Sequence, residues 1–144
     1  MSTSHSLRDA VRPGELAVRE QRLDDLVHQM HLKGSVADAN APELERRVDA
    51  AVAAGVRWLI VDLGEADPVG DAALRLVSRA VRELRSRRGE LILAAAPPDV
   101  GPRLQEYEAA DRPALAADID QAIMILKMLR PKPAAARSTP RKRG

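Results

Sequence analysis

Four carboxylates lie close together in the middle of the chain, at Asp62, Glu65, Asp67 and Asp71. Oxygen ligands of this kind suit Mg²⁺, so a metal-dependent hydrolase at this cluster is one hypothesis. However, no Lys, Ser or Thr lies between Asp62 and Asp71 to handle a phosphate, and all three His precede residue 32. The carboxylates are equally explained by solvation of a polar loop and the cap of one helix, so the enzyme is the weaker hypothesis.

Other catalytic and cofactor signatures are missing from the sequence. It contains no Walker loop, no G-x-G-x-x-G, no G-x-S-x-G elbow and no H-E-x-x-H, and it has no Cys. His28 and His31 are three apart on a predicted strand and should face opposite ways, so we interpret neither as a metal ligand. The sequence therefore predicts a non-enzymatic binding protein without a cofactor or metal.

The elements around Asp71 predict how it is presented. The apolar run Trp58–Val61 indicates a buried strand, and the polar stretch from Gly64 to Gly70 indicates a loop. A helix is predicted from Asp71 to Arg87, because its apolar residues recur on one face: Leu74, Val77, Val81 and Leu84. A helix N-terminus favours an anion, and Asp71 stands there. Asp71 is thus either a plain N-cap or part of a recognition surface.

The rest of the pattern alternates strands with helices after an initial hairpin. Lys33–Ala39 is predicted as a loop, and Asn40 is predicted to cap a helix that ends at Gly55, with Leu44, Val48 and Val52 inward. Further strands are predicted at 90–95 and 114–116, and Asp118 is predicted to cap a last helix. The fold class is α/β, with a mixed β-sheet of four to five strands and about four α-helices packed on it.

Charge divides the chain unevenly. Six of the 23 basic residues lie between Arg130 and Gly144, where there is no acid, which leaves 17 basic against 21 acidic residues elsewhere. We expect a flexible arm at 1–14, one domain at 15–130 and a disordered basic, Pro- and Ala-rich tail at 131–144. The tail suggests only weak, non-specific contact with nucleic acid or an acidic surface. No stretch is long and apolar enough for a membrane span, and a cytoplasmic location is expected.

Three segments together resemble the STAS domain, the fold of anti-sigma factor antagonists. LKGSVADANAPEL, from Leu32 to Leu44, resembles the family pattern L-x-G-E-L-D-x-x-T-A-P-x-L, and GVRWLIVDL, from Gly55 to Leu63, resembles G-x-R-x-V-V-V-D-L. PVGDAAL, from Pro68 to Leu74, falls on F-I-D-S-S-G-L. The resemblance covers about Leu16 to Leu129.

This resemblance implies a regulatory partner. Family members bind a GHKL-type anti-sigma kinase and so release a sigma factor, and the kinase phosphorylates the first Ser of D-S-S-G. In this chain Asp71 occupies that Ser position, Gly70 the preceding Asp, and Ala72 and Ala73 the following Ser and Gly. Asp71 has no hydroxyl to accept phosphate, and its single negative charge only partly imitates the roughly 1.5 to 2 charges of phosphoserine.

We therefore hypothesise a binding protein whose partner is an anti-sigma factor or GHKL-type kinase and which is not switched at residue 71. Alternatives are a STAS module for a nucleotide or other small ligand, and an accessory subunit of a membrane transporter. A homodimer is left open, and no specific nucleic acid is predicted. The stripe Arg75, Arg79 and Arg82 is interpreted as a solvated helix face or a surface for an acidic partner. The predicted partner-binding surface is Gly34, Ser35, Asp67, Pro68, Val69, Gly70, Asp71, Ala72 and Arg75.

Overall fold

The computed structural model describes residues 11–130, so the predicted tail at 131–144 and most of the predicted arm at 1–14 lie outside the described residues. Five strands and four helices follow in the predicted order, which confirms the fold class. They are β1 (Leu16–Asp24), β2 (Val27–Val36), α1 (Ala41–Ala53), β3 (Trp58–Val69), α2 (Asp71–Ser86), β4 (Glu90–Ala94), α3 (Val100–Leu104), β5 (Ala114–Ala116) and α4 (Ile119–Leu129), with short 3₁₀ turns at Asp38–Asn40 and Ala109–Asp111.

The strands form one mixed sheet in the order β1-β2-β3-β4-β5. β1 and β2 pair as an antiparallel hairpin, and every later pair is parallel. Parallel neighbours need a crossover, and the crossover helices cover the faces of the sheet. β3 is the middle strand of the five, with β2 on one side and β4 on the other.

Alternation along the strands divides the core between the two faces of the sheet. Leu59 and Val61 of β3 pack in the cluster that includes the buried sides of α1 and α2. Trp58 and Ile60 point the other way and pack with Ala122 and Leu126 of α4. The predicted buried stripes are confirmed: Leu44, Val48, Val52, Leu74, Val77, Val81 and Leu84 are all buried. The helices are held in two layers, α1 and α2 against one face and α4 against the other.

Large parts of two predicted loops are in fact strand. β2 runs through Val36, and β3 continues to Val69 across the stretch predicted as the loop from Gly64 to Gly70. The two extensions pair with each other, Gly34 opposite Ala66 and Val36 opposite Val69, with register shifts along the way. The prediction was wrong because ladder hydrogen bonds between distant segments outweigh the weak local preference of Gly, Asp and Pro for a strand.

The predicted helix caps have mixed outcomes. Asp118 is confirmed as the cap of α4, because its Oδ1 accepts from the Gln121 N–H at 2.8 Å. Gly55 follows α1 with φ +99°, as expected for a helix stop. The predicted capping role of the Asn40 side chain is wrong. Its Nδ2 donates instead to the carbonyls of Gly14 and Ser35, at 3.0 and 2.9 Å.

Within residues 11–130 no helix has the length and apolar character needed to cross a membrane.

One buried ion pair fixes the start of β4. The Glu90 side chain is only 11% exposed and accepts two hydrogen bonds from Arg85 of α2, at 2.9 and 3.0 Å. The same guanidinium donates to the carbonyls of Ala110 and Arg112, at 2.7 and 2.6 Å. Arg85 thus ties α2 to β4 and to the segment that leads into β5.

We predict that Arg85→Met lowers the free energy of unfolding by about 2 to 3 kcal/mol, because it leaves a buried carboxylate unpaired. Arg85→Met combined with Glu90→Gln should recover part of that loss. Arg79→Met is the matched control, since Arg79 lies on the same helix and both Arg79 and its partner Glu45 are exposed, and we expect little change. Urea unfolding measures all three variants. Equal stability of the single and double variants would contradict the assignment.

Candidate functional site

The start of α2 lies at the end of the sheet where β2 and β3 finish side by side. The Gly70 N–H donates to the Val36 carbonyl at 2.8 Å, which joins the last residue of β2 to the residue before α2. The 3₁₀ turn Asp38–Asn40 follows Val36 directly and so lies beside the same helix start. The turn after β2 and the end of β3, which are far apart in sequence, therefore meet at the N-terminus of α2.

The anion at this N-terminus comes from Asp38. The N-cap of α2 is Gly70, in an extended conformation, and Asp71 is the first helical residue. The Ala72 N–H, one of the helix's unpaired donors, is bound by Asp38 Oδ1 at 3.0 Å across a separation of 34 residues. The interpretation of Asp71 as N-cap is therefore wrong: Gly70 holds the N-cap position, and the carboxylate that accepts from the helix N-terminus belongs to Asp38.

Gly70 leaves the room that Asp38 needs. A Cβ at position 70 would lie 2.5 Å from Asp38 Oδ1 and 3.0 Å from the Asp38 nitrogen, closer than non-bonded atoms approach. The family pattern that this chain resembles has an Asp at position 70, in the place of a usual N-cap side chain. In this chain a carboxylate from the turn occupies the space that such a side chain would take.

Asp71 points outward and is held by Arg103 of the neighbouring α3. Asp71 Oδ1 accepts from Arg103 Nη2 at 2.8 Å, although the Asp71 side chain is 73% exposed. Arg103 Nη1 also donates to the Val69 carbonyl and to Asp99 Oδ2, both at 2.7 Å. These carboxylates, Asp71 first, raise the pKa of the Arg103 guanidinium above its usual value. Arg103 thus connects the end of β3, the start of α2 and α3.

Sequence reasoning missed both Asp38 and Arg103. Asp38 lies next to Ala37, the position at which the family pattern has Asp, so the shift by one residue hid it. Arg103 is four residues after Asp99, a spacing that indicates an ion pair on one helix but gives no link to Asp71. Neither contact to α2 has a local signal, because each joins residues more than thirty positions apart.

A groove of about 410 Å³ opens beside this helix start, between the beginnings of α1 and α2. Glu45 and Arg79 face each other across it with a contact of 2.6 Å. Arg75 also lines the groove, is exposed, and has no ion pair within residues 11–130. Arg82 of the same predicted stripe pairs with Asp111 at 2.7 Å. Of the three arginines, Arg75 is therefore the one whose charge is available to another molecule.

The predicted partner surface divides into exposed and buried residues. Asp67, Pro68, Asp71 and Arg75 are exposed, while Gly34, Gly70 and Ala72 are half-buried. Ser35 and Val69 are buried, at 7% and 6% exposure, so their side chains support the surface from beneath. The structure brings most of these residues to one end of the sheet, around the start of α2.

The four carboxylates of the central segment do not converge. Asp62 and Glu65 contact the two nitrogens of the His31 ring, with 2.8 Å between Nδ1 and Asp62 Oδ2 and 2.6 Å between Nε2 and Glu65 Oε1. Asp71 is on Arg103 instead. Within residues 11–130 no group of three or more potential ligands is arranged to hold a metal ion. His28 lies apart from His31 and contacts Glu20 at 2.7 Å.

Comparison with known proteins gives the family. The family model for the STAS domain matches residues 19–122, which is more than half of the chain. The chain belongs to the STAS domain family. The resemblance inferred from the three sequence segments is thereby confirmed, and with it the fold of anti-sigma factor antagonists.

Several proteins similar to this STAS domain are named as anti-sigma factor antagonists. BtrV of Bordetella bronchiseptica, whose name describes it provisionally as an anti-sigma factor antagonist, is 41% identical over 69 residues, or 48% of this chain. The match spans 60% of the length of BtrV. An anti-sigma factor antagonist from Mycobacterium paratuberculosis superposes with a TM-score of 0.70 at 19% identity, over 82% of this chain and 99% of that one.

The anti-sigma factor antagonist SpoIIAA of Bacillus shares the fold in both of its solved states. Its unphosphorylated form gives a TM-score of 0.63 at 18% identity, over 77% of this chain and 98% of that one. Its phosphorylated form gives 0.62 at 17% identity, over 76% and 98%. At these identities the likeness establishes the STAS fold alone, and the chain is an STAS domain similar to anti-sigma factor antagonists.

We predict that Asp38 and Gly70 are energetically coupled. Asp38→Ala should destabilise the STAS domain by about 1 kcal/mol through loss of the cap. Gly70→Asp should destabilise it by about 2 kcal/mol, because two carboxylates compete for one space. The double variant Asp38→Ala/Gly70→Asp should be near the original stability, since the new Asp can cap α2 itself.

Chemical unfolding of the three variants measures this coupling, and Asp38→Asn is the control because Asn caps helices about as well as Asp. Additive losses in the double variant would show that the two residues act independently.

We also predict a pH-dependent contribution from His31. Partial burial opposes its protonation, but the hydrogen bonds to Asp62 and Glu65 outweigh this and raise its pKa above the ordinary 6.5. A raised pKa stabilises the fold fully below the unfolded value, and this stabilisation is lost as pH rises through the folded value.

The difference in unfolding free energy between the original protein and His31→Gln should therefore shrink as the pH rises from about 6 to about 9. His28→Gln serves as the control. A constant difference for His31→Gln across this range would exclude the proposed charge on His31.

Proposed function

We propose that this chain is a non-enzymatic regulatory protein that binds an anti-sigma factor of the GHKL kinase type and thereby controls a sigma factor. We also propose that phosphorylation at residue 71 does not switch this binding. The single observation that carries it is the start of α2, where carboxylates of Asp38 and Asp71 are already in place at the position at which the family pattern has a phosphorylatable Ser. Such regulation takes place in the cytoplasm, which is the location we propose.

The proposed contact surface is the exposed part of the predicted set together with the adjoining groove. Asp67, Pro68, Asp71 and Arg75 are its exposed members, and they surround a rigid helix start. Among the described residues Arg75 has no ion-pair partner, and its guanidinium therefore favours a carboxylate on the partner protein. Ser35 and Val69 are buried beneath and keep the ends of β2 and β3 together.

The electrostatics of the helix start differ from both states of a phosphorylatable relative. A Ser hydroxyl is neutral, a phosphoserine carries roughly 1.5 to 2 negative charges, and Asp71 carries about one. Part of that charge is compensated by Arg103 at 2.8 Å. The partner of this protein must therefore accept a fixed, partly neutralised carboxylate at this position, and a partner that requires a neutral hydroxyl there would be rejected.

We predict that Arg75→Ala weakens binding to a cognate anti-sigma factor by about tenfold, because one charge-assisted contact is lost. Arg57→Ala is the matched control, since Arg57 is also exposed but precedes β3, at the far end of that strand. Isothermal titration of the full chain with each candidate anti-sigma factor measures both variants. An equal effect of the two substitutions, or none from Arg75→Ala, would place the partner elsewhere.

We further predict that Asp71→Asn changes partner affinity by about fivefold or more while leaving the stability of the fold nearly unchanged. The side chain is mostly exposed, so its ion pair with Arg103 contributes little to folding. The same titration and a thermal unfolding measurement test the two halves of this prediction. Unchanged affinity would mean that Asp71 takes no part in recognition.

A further inference from the structure

A small pocket lies on the outer side of α2, beside the segment that joins α3 to β5. Its volume is about 240 Å³, below the roughly 300 to 1,000 Å³ of pockets that hold drug-sized ligands, so it suits a small chemical group. Three basic side chains, two hydroxyl groups and one carboxylate line it. The lining residues are Arg75, Ser78, Arg79, Arg82, Tyr107 and Asp111. We call it the Ser78 pocket.

The Ser78 hydroxyl is buried and has no hydrogen-bond partner within residues 11–130. Ser78 is only 7% exposed. Most buried hydroxyls in proteins have a partner, and a serine in a helix commonly donates to a carbonyl of the preceding turn. Ser86 of the same helix does so, to the Glu83 carbonyl at 2.6 Å. Because Ser78 lines the pocket, an oxygen of a bound ligand would supply the acceptor that the described protein atoms do not.

The three arginines of the pocket have N–H donors that no described residue uses. A guanidinium carries five such donors. Arg79 donates to Glu45 at 2.6 Å, and Arg82 donates twice to Asp111, at 3.0 and 2.7 Å. Arg75 has no ion-pair partner within residues 11–130. The side chains of Arg79 and Arg82 are 53% and 74% exposed, so their ion pairs are weak and their remaining N–H groups are accessible to a ligand.

Acidic neighbours do not neutralise the pocket. Asp111 is the one acid that lines it, and both of its oxygens already accept from Arg82. Glu45 and Asp49 contact Arg79 from α1, at 2.6 and 3.8 Å, and do not line the pocket. Three guanidiniums therefore face one carboxylate among the lining residues, and this excess of positive charge favours an anionic ligand.

We propose that the Ser78 pocket binds the phosphate group of a small phosphate monoester. Such a group has three terminal oxygens and a charge of roughly −1.5 to −2, so it accepts hydrogen bonds from several guanidiniums and a hydroxyl at once. A carboxylate has two oxygens and a single charge, and it leaves more of these donors unused. The number and kind of donors in the pocket thus favour phosphate over a carboxylate.

NMR titration of the isotope-labelled full chain with methyl phosphate, at constant ionic strength, tests the proposal. We expect saturable shifts of the amide signals of residues 75–82 and of Tyr107. Acetate, a small carboxylate, should bind at least about fivefold more weakly than methyl phosphate. Arg75 also belongs to the proposed partner surface, but the titration contains no partner protein, so its outcome does not depend on the proposed function.

Two variants examine the two kinds of donor. Arg75→Gln should weaken the binding of methyl phosphate by about tenfold, because a charge-assisted contact is lost. Arg57→Gln is the matched control, since Arg57 is exposed and precedes β3. Ser78→Ala should weaken the binding by about threefold. It should leave the thermal unfolding temperature unchanged, because the hydroxyl has no partner within the described residues.

Four results would overturn the proposal. The first is the absence of saturable shifts with methyl phosphate. The second is equal binding of acetate, which would mean a general attraction of anions. The third is an equal effect of Arg75→Gln and Arg57→Gln. The fourth is unchanged binding by Ser78→Ala, or a lowered unfolding temperature of this variant, since the hydroxyl would then serve the fold alone. The dispersion of the amide signals verifies that each variant is folded.

Discussion

The hydrogen bond from the Ala72 N–H to the Asp38 carboxylate is the interaction on which the proposed functional site depends. It supplies a helix N-terminus with an acceptor that the N-cap, a glycine, cannot provide. It also fixes the turn after β2 against α2, and the Gly70–Val36 hydrogen bond fixes the strand ends beneath. The proposed recognition surface is therefore built from two distant segments, and separating them would break these two hydrogen bonds.

The same construction would let this STAS domain bind a partner without a phosphorylation switch, as we propose. A phosphorylatable hydroxyl would change the charge at the helix start by about two units. In this protein the charge is permanent: Asp38 is held by the backbone of α2, and Asp71 is held by Arg103. Because Arg103 also binds the carbonyl of Val69, the outer carboxylate is positioned relative to the sheet as well as to the helix. Binding would then be governed by the amounts of the two partners.

Sequence reasoning succeeded where the signal is local and periodic. The stripes from Leu44 to Val52 and from Leu74 to Leu84 predicted the helices α1 and α2, and the alternation of strands with helices predicted the sheet. Sequence reasoning failed where contacts between residues distant in sequence determine the structure. The pairing of Gly34–Val36 with Ala66–Val69 turned large parts of two predicted loops into strand. The sequence predicted that Asp71 caps α2, whereas the carboxylate that accepts from the Ala72 N–H belongs to Asp38. This residue lies in a turn 34 positions earlier, and nothing in the local sequence indicates that the turn packs beside the helix start.

The central claim is that this surface binds its partner without a covalent switch, and phosphate transfer tests it most directly. The full chain and Asp71→Ser are incubated with GHKL-type anti-sigma kinases and ATP, and the peptide spanning residues 59–79 is examined by mass spectrometry. In this segment Ser78 is the single hydroxyl side chain, and it is 7% exposed on α2. The account predicts no phosphate on this peptide from the original chain and phosphate at residue 71 of Asp71→Ser. Phosphate on the 59–79 peptide of the original chain would contradict it.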